Sequence, residues 1–260
     1  MTTLTLPRRP FVEFSGVRFR LWPVLLGALL MQAVLWPARE LARWIFAHGG
    51  GVFHDQAWAF VGLAMVLQTL AGLACIAVMR RVLPQAPTYL RWPSRGHGMI
   101  GLGFAIGVGM ALTMLVADYW PQLIAHRAPD GGYDTSPAGV AGWLTVMAST
   151  GLCEETIFRG LLVGMLTVLV PGRVRIGRFD IPFSGLVVAV LFGLAHYESF
   201  LADPLWMAIA QQLYAFVFGL VYVWLMERSR SLVAPMIAHG VGDALEVAAV
   251  MALQVAWAVH

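Results

Sequence analysis

The chain has 260 residues, of which 59% are hydrophobic and only 12% are charged. A soluble protein of this size does not need so much apolar material, so the composition predicts a polytopic membrane protein that forms one bundle of helices. The net charge of +3 comes from arginine without any lysine, and we assign it to loops at a membrane surface and not to nucleic-acid binding.

The first half of the chain is predicted to contain a basic arm and three transmembrane helices. Residues 1–20 form the arm, which we expect in the cytoplasm, and residues 21–137 hold spans at 21–38, 57–79 and 99–117. The third span is rich in glycine, with spacings that suit close helix packing, at Gly101, Gly103, Gly107 and Gly109. A polar loop over residues 118–137 follows, and Ser136 with Pro137 is a typical helix start.

The second half, residues 138–260, is predicted to form a core of four spans. They cover residues 138–170, 183–197, 204–226 and 232–259, and an arginine-rich loop over 172–182 joins the first two. The span over 138–170 is longer than the hydrocarbon layer is thick, so it must tilt or protrude. The sequence thus predicts an all-α bundle of about seven transmembrane helices around a polar cavity.

Arginine is distributed very unevenly between the two sides of this layout. With the N-terminus inside, thirteen arginines lie in inner segments, three (Arg39, Arg43 and Arg127) lie in outer ones, and Arg159 lies within a span. Such a bias predicts a cytoplasmic N-terminus and an external C-terminus. We expect the chain in the plasma membrane of a bacterium, with the bilayer as its surroundings.

Two carboxylates and an arginine interrupt the apolar span over 138–170. A charge at the centre of a bilayer costs about 2.5–3.5 kcal/mol even on the lenient insertion scale, so buried charges are kept when they pair or act in chemistry. Glu155 and Arg159 are four residues apart and can pair on one helix face. Glu154 is rotated about 100° away by the helical period and has no local partner.

Two further spans also carry polar side chains. Phe192 and His196 share a face of the span over 183–197, and His239, Asp243 and Glu246 lie on nearly one face of the last span. Taken singly, each group has an ordinary structural explanation, such as a packed histidine or a structural ion pair. Since charged groups avoid lipid, three polar stripes on three spans are expected to meet in one interior site.

The two cysteines lie inside predicted spans, so the sequence offers no disulfide framework. Cys153 adjoins Glu154 and could be considered a nucleophile. We interpret it as a small buried residue.

The three motifs, Glu154-Glu155-x-x-x-Arg159, Phe192-x-x-x-His196 and His239-x-x-x-Asp243, resemble the signature of the CPBP family. These are the type II CAAX prenyl endopeptidase-like intramembrane proteases, also called the Abi family. The resemblance covers about residues 138–249 and implies an endopeptidase that cleaves a membrane-associated, prenylated or sorting-tail substrate.

The resemblance also implies a role for each residue. Glu154 would activate the attacking water with the help of His196, while His239 and Asp243 would stabilise the oxyanion. Glu155 and Arg159 would brace the site, with Phe192 and Glu246 as supporting residues. Many members have asparagine where this chain has Asp243. Because an ionised aspartate cannot donate a hydrogen bond, Asp243 must be protonated or must orient His239, and we favour the second role.

Metal dependence stays open from the sequence. A zinc ion could be held by the set Glu154, His196, His239 and Asp243. The chain has no His-Glu-x-x-His motif, and we favour glutamate chemistry without a metal or other cofactor.

Two other functions remain possible at this point. A proton-coupled transporter also needs intramembrane acids and histidines, although we see no repeat between the halves of the chain. A non-enzymatic scaffold or immunity protein could retain the same motifs. One difficulty concerns depth, because helical rise places His196 about 20 Å and His239 about 10 Å from the inner ends of their spans. They can meet only if the helices tilt strongly, the fifth span starts outside the hydrocarbon, or the seventh starts deep.

Overall fold

Long helices make up most of the computed structural model, which describes residues 10–49, 56–93 and 98–257. In chain order the helices are α1 (Leu21–His48), α2 (Ala57–Val82), α3 (Gly98–Ile124), α4 (Pro137–Glu155), α5 (Gly164–Leu169), α6 (Phe183–Ala195), α7 (Ser199–Ala202), α8 (Leu205–Ser229) and α9 (Val233–Trp257). A π-helical stretch, Thr156–Val163, joins α4 to α5, so that helix runs without a break from Pro137 to Leu169. Parts of three predicted segments lie outside the described residues. They are residues 1–9 of the arm, Arg95 of an inner loop and residues 258–259 of the last span.

Six helical segments in the described part of the chain are long and apolar enough to cross a membrane. The segment from Pro137 to Leu169 is not among them, and it carries the three charges of the first motif. It lies inside the bundle, with Glu155, Arg159 and the whole π-helical stretch buried. The predicted all-α polytopic bundle is therefore confirmed.

The start of α4 is capped as the sequence predicts. The Ser136 hydroxyl accepts a hydrogen bond from the amide of Gly139 at 3.1 Å, and Pro137 occupies the first turn. The predicted end of the third span is wrong, because α3 continues through Asp118 to Ile124. A polar residue is tolerated there since the Asp118 carboxylate accepts a hydrogen bond from the Tyr214 hydroxyl at 3.1 Å.

A small sheet replaces the loop that the sequence predicts over residues 172–182. Strands β1 (Val12–Ser15), β2 (Arg173–Ile176) and β3 (Phe179–Pro182) pair antiparallel in that order. By this register one face is apolar and the other carries charge, because opposed residues share a face and side chains alternate along each strand. The strands have four residues each, too few for their alternation to stand out in the sequence.

Glycines bring three helix backbones into close contact around α9. An added Cβ would lie 2.6 Å from the carbonyl oxygen of Ala234 at Gly103, and 2.6 Å from that of Ala238 at Gly107. The predicted close packing is thus confirmed for these two positions of α3, whereas Gly101 and Gly109 face open space.

On the other side of α9, α4 approaches equally closely. A Cβ at Gly151 would lie 2.1 Å from the Met236 carbonyl oxygen, and one at Gly240 would lie 2.3 Å from that of Ala148. Only glycine permits these approaches. They bring Glu154 and His239, each within three residues of such a contact, close to each other.

Helix α9 begins inside the bundle. Ser231, Leu232 and Ala234 are at most 1% exposed, and the Leu232 amide donates a hydrogen bond to the Tyr89 carbonyl at 3.0 Å. The segment between α2 and α3 therefore covers the start of α9. The start of α9 is thus enclosed by protein.

Candidate active site

A cavity of about 180 Å³ lies inside the bundle between α3, α4, α6, α8 and α9. Six of the predicted site residues line it, while Glu155 and Arg159 are buried beside it. The lining residues are Met110, Met114, Glu154, Phe192, His196, Gln211, Tyr214, Ala215, Phe218, Tyr222, His239, Asp243 and Glu246. The structure therefore brings the three polar stripes together.

Glu155 and Arg159 form an ion pair that is fully removed from solvent. Both side chains are 0% exposed, and Arg159 Nη1 donates to Glu155 Oε1 at 3.0 Å. Arg159 Nη2 donates to the Gly219 carbonyl of α8 at 3.2 Å, and the guanidinium carbon lies 4.5 Å from the centre of the Phe192 ring. The pair lies within one helix, and the hydrogen bond to Gly219 joins that helix to α8. Loss of one partner of a buried pair leaves an uncompensated charge.

His239 extends this network into the cavity. Its Nδ1 lies 2.9 Å from Glu155 Oε1. Since that carboxylate is paired with Arg159, Nδ1 carries the hydrogen and donates it. The imidazole is stacked on the Tyr222 ring at 5.0 Å between centres. Its orientation is thus set from both sides.

The other imidazole nitrogen, Nε2 of His239, faces two carboxylates. It lies 3.8 Å from Glu154 Oε2 and 3.5 Å from Asp243 Oδ2. Glu155 holds Nδ1, so Asp243 faces the opposite ring nitrogen, and its predicted role in orienting His239 stays a prediction. At this distance the negative charge of an ionised Asp243 would stabilise a positive charge on the His239 imidazole.

Phe192 and His196 close the cavity at the end of α6. His196 directly follows the last residue of that helix, and its Nδ1 lies 2.8 Å from the Phe192 carbonyl oxygen, which can only accept. Nε2 of His196 is therefore the nitrogen with a free lone pair. The Phe192 ring lies 5.1 Å from the His196 ring and 5.9 Å from the His239 ring, so the two imidazoles flank one phenyl group.

Glu154 has a different environment from its neighbour in sequence. Its side chain is 24% exposed, against 0% for Glu155. Its Oε2 is buried and has no hydrogen-bond partner among the described residues. A buried carboxylate oxygen is normally satisfied by a donor, so this atom requires a water or a substrate group in the cavity.

The helix widens to π geometry directly after the two glutamates. Such widening is rare and is frequently found at functional sites. The stretch carries Arg159 and places its guanidinium against Glu155 and the aromatic rings of α6 and α8.

Residues 136–245 match the family model described as "Type II CAAX prenyl endopeptidase Rce1-like". Over these residues the chain is similar to that CAAX protease family. The match contains all three motifs, from Glu154 to Asp243, and it ends before Glu246. No curated protein and no solved structure matches the chain significantly. With its six long apolar helices among the described residues, the chain is an integral membrane protein that carries a segment similar to a membrane protease family.

Helices α1–α3 precede the segment that matches the Rce1-like model. From the sequence we predict the boundary between the N-terminal helices and the core at residue 138. The boundaries at 20 and 138 stay predictions. The structure nevertheless joins the two parts, since α3 contributes Met110 and Met114 to the cavity.

One residue of α3 near the cavity was missed in the sequence. Asp118 is 8% exposed, and its Oδ2 accepts a hydrogen bond from the hydroxyl of Tyr214, which lines the cavity. The sequence analysis placed Asp118 in a loop, although the apolar pattern continues through Leu123 and Ile124 and could have extended the span.

The residues proposed for a zinc site do not fit one. Among the described residues, no three His, Cys, Asp or Glu side chains are arranged to hold a metal ion. We therefore derive no step of the reaction through a metal.

Proposed function

We propose that the chain is an intramembrane endopeptidase that hydrolyses a peptide bond with water activated by Glu154 and His196. One observation carries the proposal. The Glu154 carboxylate has an unpartnered buried oxygen in a cavity that it shares with two imidazoles. The match of residues 136–245 to the family model supports a CAAX-protease-like activity, and the arrangement of the residues supports glutamate chemistry.

In the first step a water between Glu154 and His196 loses a proton to the Glu154 carboxylate, and its oxygen attacks the peptide carbonyl carbon. General base catalysis of this kind contributes about 10²–10⁴ in rate. The negative charge that develops on the carbonyl oxygen is stabilised by Nε2–H of His239 in its protonated form. Glu155 accepts the hydrogen bond from Nδ1, and Asp243 favours the positive charge on the ring.

In the second step the tetrahedral intermediate collapses and the carbon–nitrogen bond breaks. Glu154 gives its proton to the leaving amine, so the carboxylate is regenerated and the proton balance closes. Glu155 and Arg159 act as positioning residues, because they hold His239 without facing the cavity. Phe192 separates and orients the two imidazoles, and Glu246 lies with Asp118 further along the cavity.

The substrate is proposed to be a membrane-associated peptide tail, prenylated or not. Along α9 the cavity runs from His239 to Glu246, and α8 contributes Gln211, only about 9 Å by helical rise from the end where α8 begins. The cavity thus extends away from the arginine-rich end of the bundle. If the N-terminus is cytoplasmic in a bacterial plasma membrane, as we propose, the cavity extends towards the outer face, which favours an exported or sorting tail.

The experiment uses the full-length protein in liposomes with two internally quenched peptides. One ends in a farnesylated CAAX tail and the other in an unprenylated membrane tail. We expect cleavage of at least one peptide, and a loss of at least about 100-fold in Glu154→Ala. The matched control is Leu152→Ala, since Leu152 lies on the same helix and is 54% exposed.

Full activity in Glu154→Ala would remove the mechanism. For natural substrates, the termini of membrane proteins are mapped in cells that express either the wild type or Glu154→Ala. Identical sets of termini in the two cell lines would contradict the assignment as a protease.

A further inference from the structure

A second polar cavity lies at the other end of the bundle, between the β2–β3 hairpin and the end of α8. Its volume is about 300 Å³, and it is lined by four arginines, two acids and one tryptophan. It shares no residue with the cavity that contains Glu154.

One arginine, Arg173, forms ion pairs with both acids of this second cavity. Arg173 Nε donates to Asp180 Oδ1 at 3.0 Å, and its Nη1 donates to Glu227 Oε2 at 3.1 Å. The remaining oxygen of Glu227 accepts a hydrogen bond from the Tyr89 hydroxyl. Burial, together with this hydrogen bond, raises the pKa of Tyr89 to about 12, so the hydroxyl stays a donor at neutral pH. Both acids are thus paired with Arg173.

The three other arginines of the cavity have no carboxylate partner within the described ranges. Arg228 lies over the Trp224 ring at 5.8 Å, and Arg230 makes a long contact of 3.4 Å with the Tyr89 hydroxyl. Arg178 lies in the turn between β2 and β3. With four arginines and two acids, the cavity carries a net charge of +2 and suits an anion.

The surroundings of the cavity place it at the level of lipid headgroups. Trp224 packs edge-to-face on Phe179 at 5.5 Å, and Phe179 is 47% exposed. Phe11 and Phe14, on and beside the neighbouring strand β1, are 74% and 57% exposed. Exposed aromatic side chains at the end of a transmembrane bundle lie in the membrane interface. The arginines are therefore at the depth at which lipid phosphates lie.

We propose that this cavity binds the phosphate group of an anionic membrane phospholipid. The planar guanidinium groups of Arg178, Arg228 and Arg230 donate to the phosphate oxygens, which suits bidentate recognition. Trp224 packs against the glycerol and the first acyl carbons. A bound lipid would join the β2–β3 turn to the end of α8. The inference does not depend on the proposed protease activity.

The test measures retention of dioleoyl-phosphatidylglycerol by the full-length protein, by native mass spectrometry from mixed micelles with dioleoyl-phosphatidylcholine as the neutral competitor. The triple variant Arg178→Gln, Arg228→Gln, Arg230→Gln is compared with Arg20→Gln, Arg80→Gln, Arg81→Gln. The second set removes the same charge from exposed arginines at the same end of the molecule, away from the cavity. We expect the first set to weaken phosphatidylglycerol binding at least tenfold and the control to bind as the wild type does.

Three results would overturn the proposal. If both triple variants lost phosphatidylglycerol binding equally, the lipid would be held by a general attraction to the basic surface. If the wild type retained phosphatidylcholine as well as phosphatidylglycerol, the cavity would not distinguish lipids by charge. Displacement of the lipid by millimolar inorganic phosphate would assign the cavity to a free anion. Should the triple variant fail to fold, Arg178→Gln and Arg228→Gln are measured singly, with an expected loss of about threefold to fivefold each. Wild-type retention in both single variants would equally reject the site.

Discussion

The two charged regions of the molecule use the same residue types in opposite environments. At the active site, Glu155 and Arg159 are 0% exposed and pair at 3.0 Å. At the sheet end, Arg175 pairs with Glu13 across strands β1 and β2, yet their side chains remain 27% and 46% exposed. An exposed pair gains little because water competes for it, whereas a buried pair cannot lose one partner without a large penalty.

The comparison teaches that burial, and not the presence of a pair, decides what a charge does here. Glu155 is 0% exposed and its Oε1 is held by both Arg159 and His239, so it is suited to positioning. Glu154 lies one residue away, lines the cavity and is 24% exposed, so it is suited to chemistry.

The largest effect is expected when the chemically active charge is removed. Glu154→Gln should lower peptide cleavage by about 10²–10⁴-fold, because the amide cannot accept the proton of water. Its melting temperature should stay within about 2 °C of the wild type, since the Glu154 Oε2 makes no hydrogen bond and approaches His239 only to 3.8 Å. Cleavage rates and thermal unfolding in the same detergent check both statements. Loss of activity that merely follows loss of folded protein would contradict the division of roles between the two glutamates.

The next effect tests the positioning charge. Arg159→Met should lower the free energy of unfolding by about 3–5 kcal/mol, since it leaves Glu155 buried without its counter-charge. The quantity is measured by denaturant titration in mixed micelles. Arg43→Met serves as the control, because Arg43 pairs with Glu40 at the surface, where both side chains are more than 40% exposed. If the free energy of unfolding fell by similar amounts in the two variants, the claim that burial makes an ion pair harder to lose would be contradicted.

A third experiment increases the distance between α4 and α9, the helices that contain Glu154 and His239. Gly240→Ala should destabilise the protein by about 1–3 kcal/mol and reduce cleavage, because the added Cβ overlaps the Ala148 carbonyl and pushes α9 away from α4. Gly109→Ala, on a face of α3 with open space, should be neutral or stabilising by up to about 1 kcal/mol. Thermal unfolding and cleavage assays of the two variants provide the check. Destabilisation by Gly109→Ala as large as that by Gly240→Ala would argue against helix approach as the cause.

The smallest effect is expected at the sheet. Arg175→Gln removes the cross-strand partner of Glu13, and the free energy of unfolding should fall by less than about 1 kcal/mol. Added salt should reduce the difference further, because the pair is exposed to solvent. Denaturant titrations at low and high ionic strength measure both quantities. If Arg175→Gln lowered the free energy of unfolding as much as Arg159→Met does, the exposed pair in the sheet would contribute more to stability than its solvent exposure predicts.

Much of the bundle and the motif residues followed from local patterns. Long apolar runs require helices in a bilayer, and the cost of intramembrane charge singled out Glu154, Glu155 and Arg159 before any fold was known. The end of α3 and the sheet were missed. Asp118 looked like a loop residue because its hydrogen-bond partner, Tyr214, is 96 positions away in sequence.

The sequence by itself determined that the chain is a polytopic membrane protein with three polar stripes, because hydropathy and helical spacing are local properties of the chain. Only the tertiary structure decided which partner each polar group has. Glu155 holds Nδ1 of His239 while Asp243 faces Nε2, and both imidazoles lie against Phe192. These outcomes depend on how closely α4 and α9 approach, and backbone contacts between helices distant in sequence set that distance.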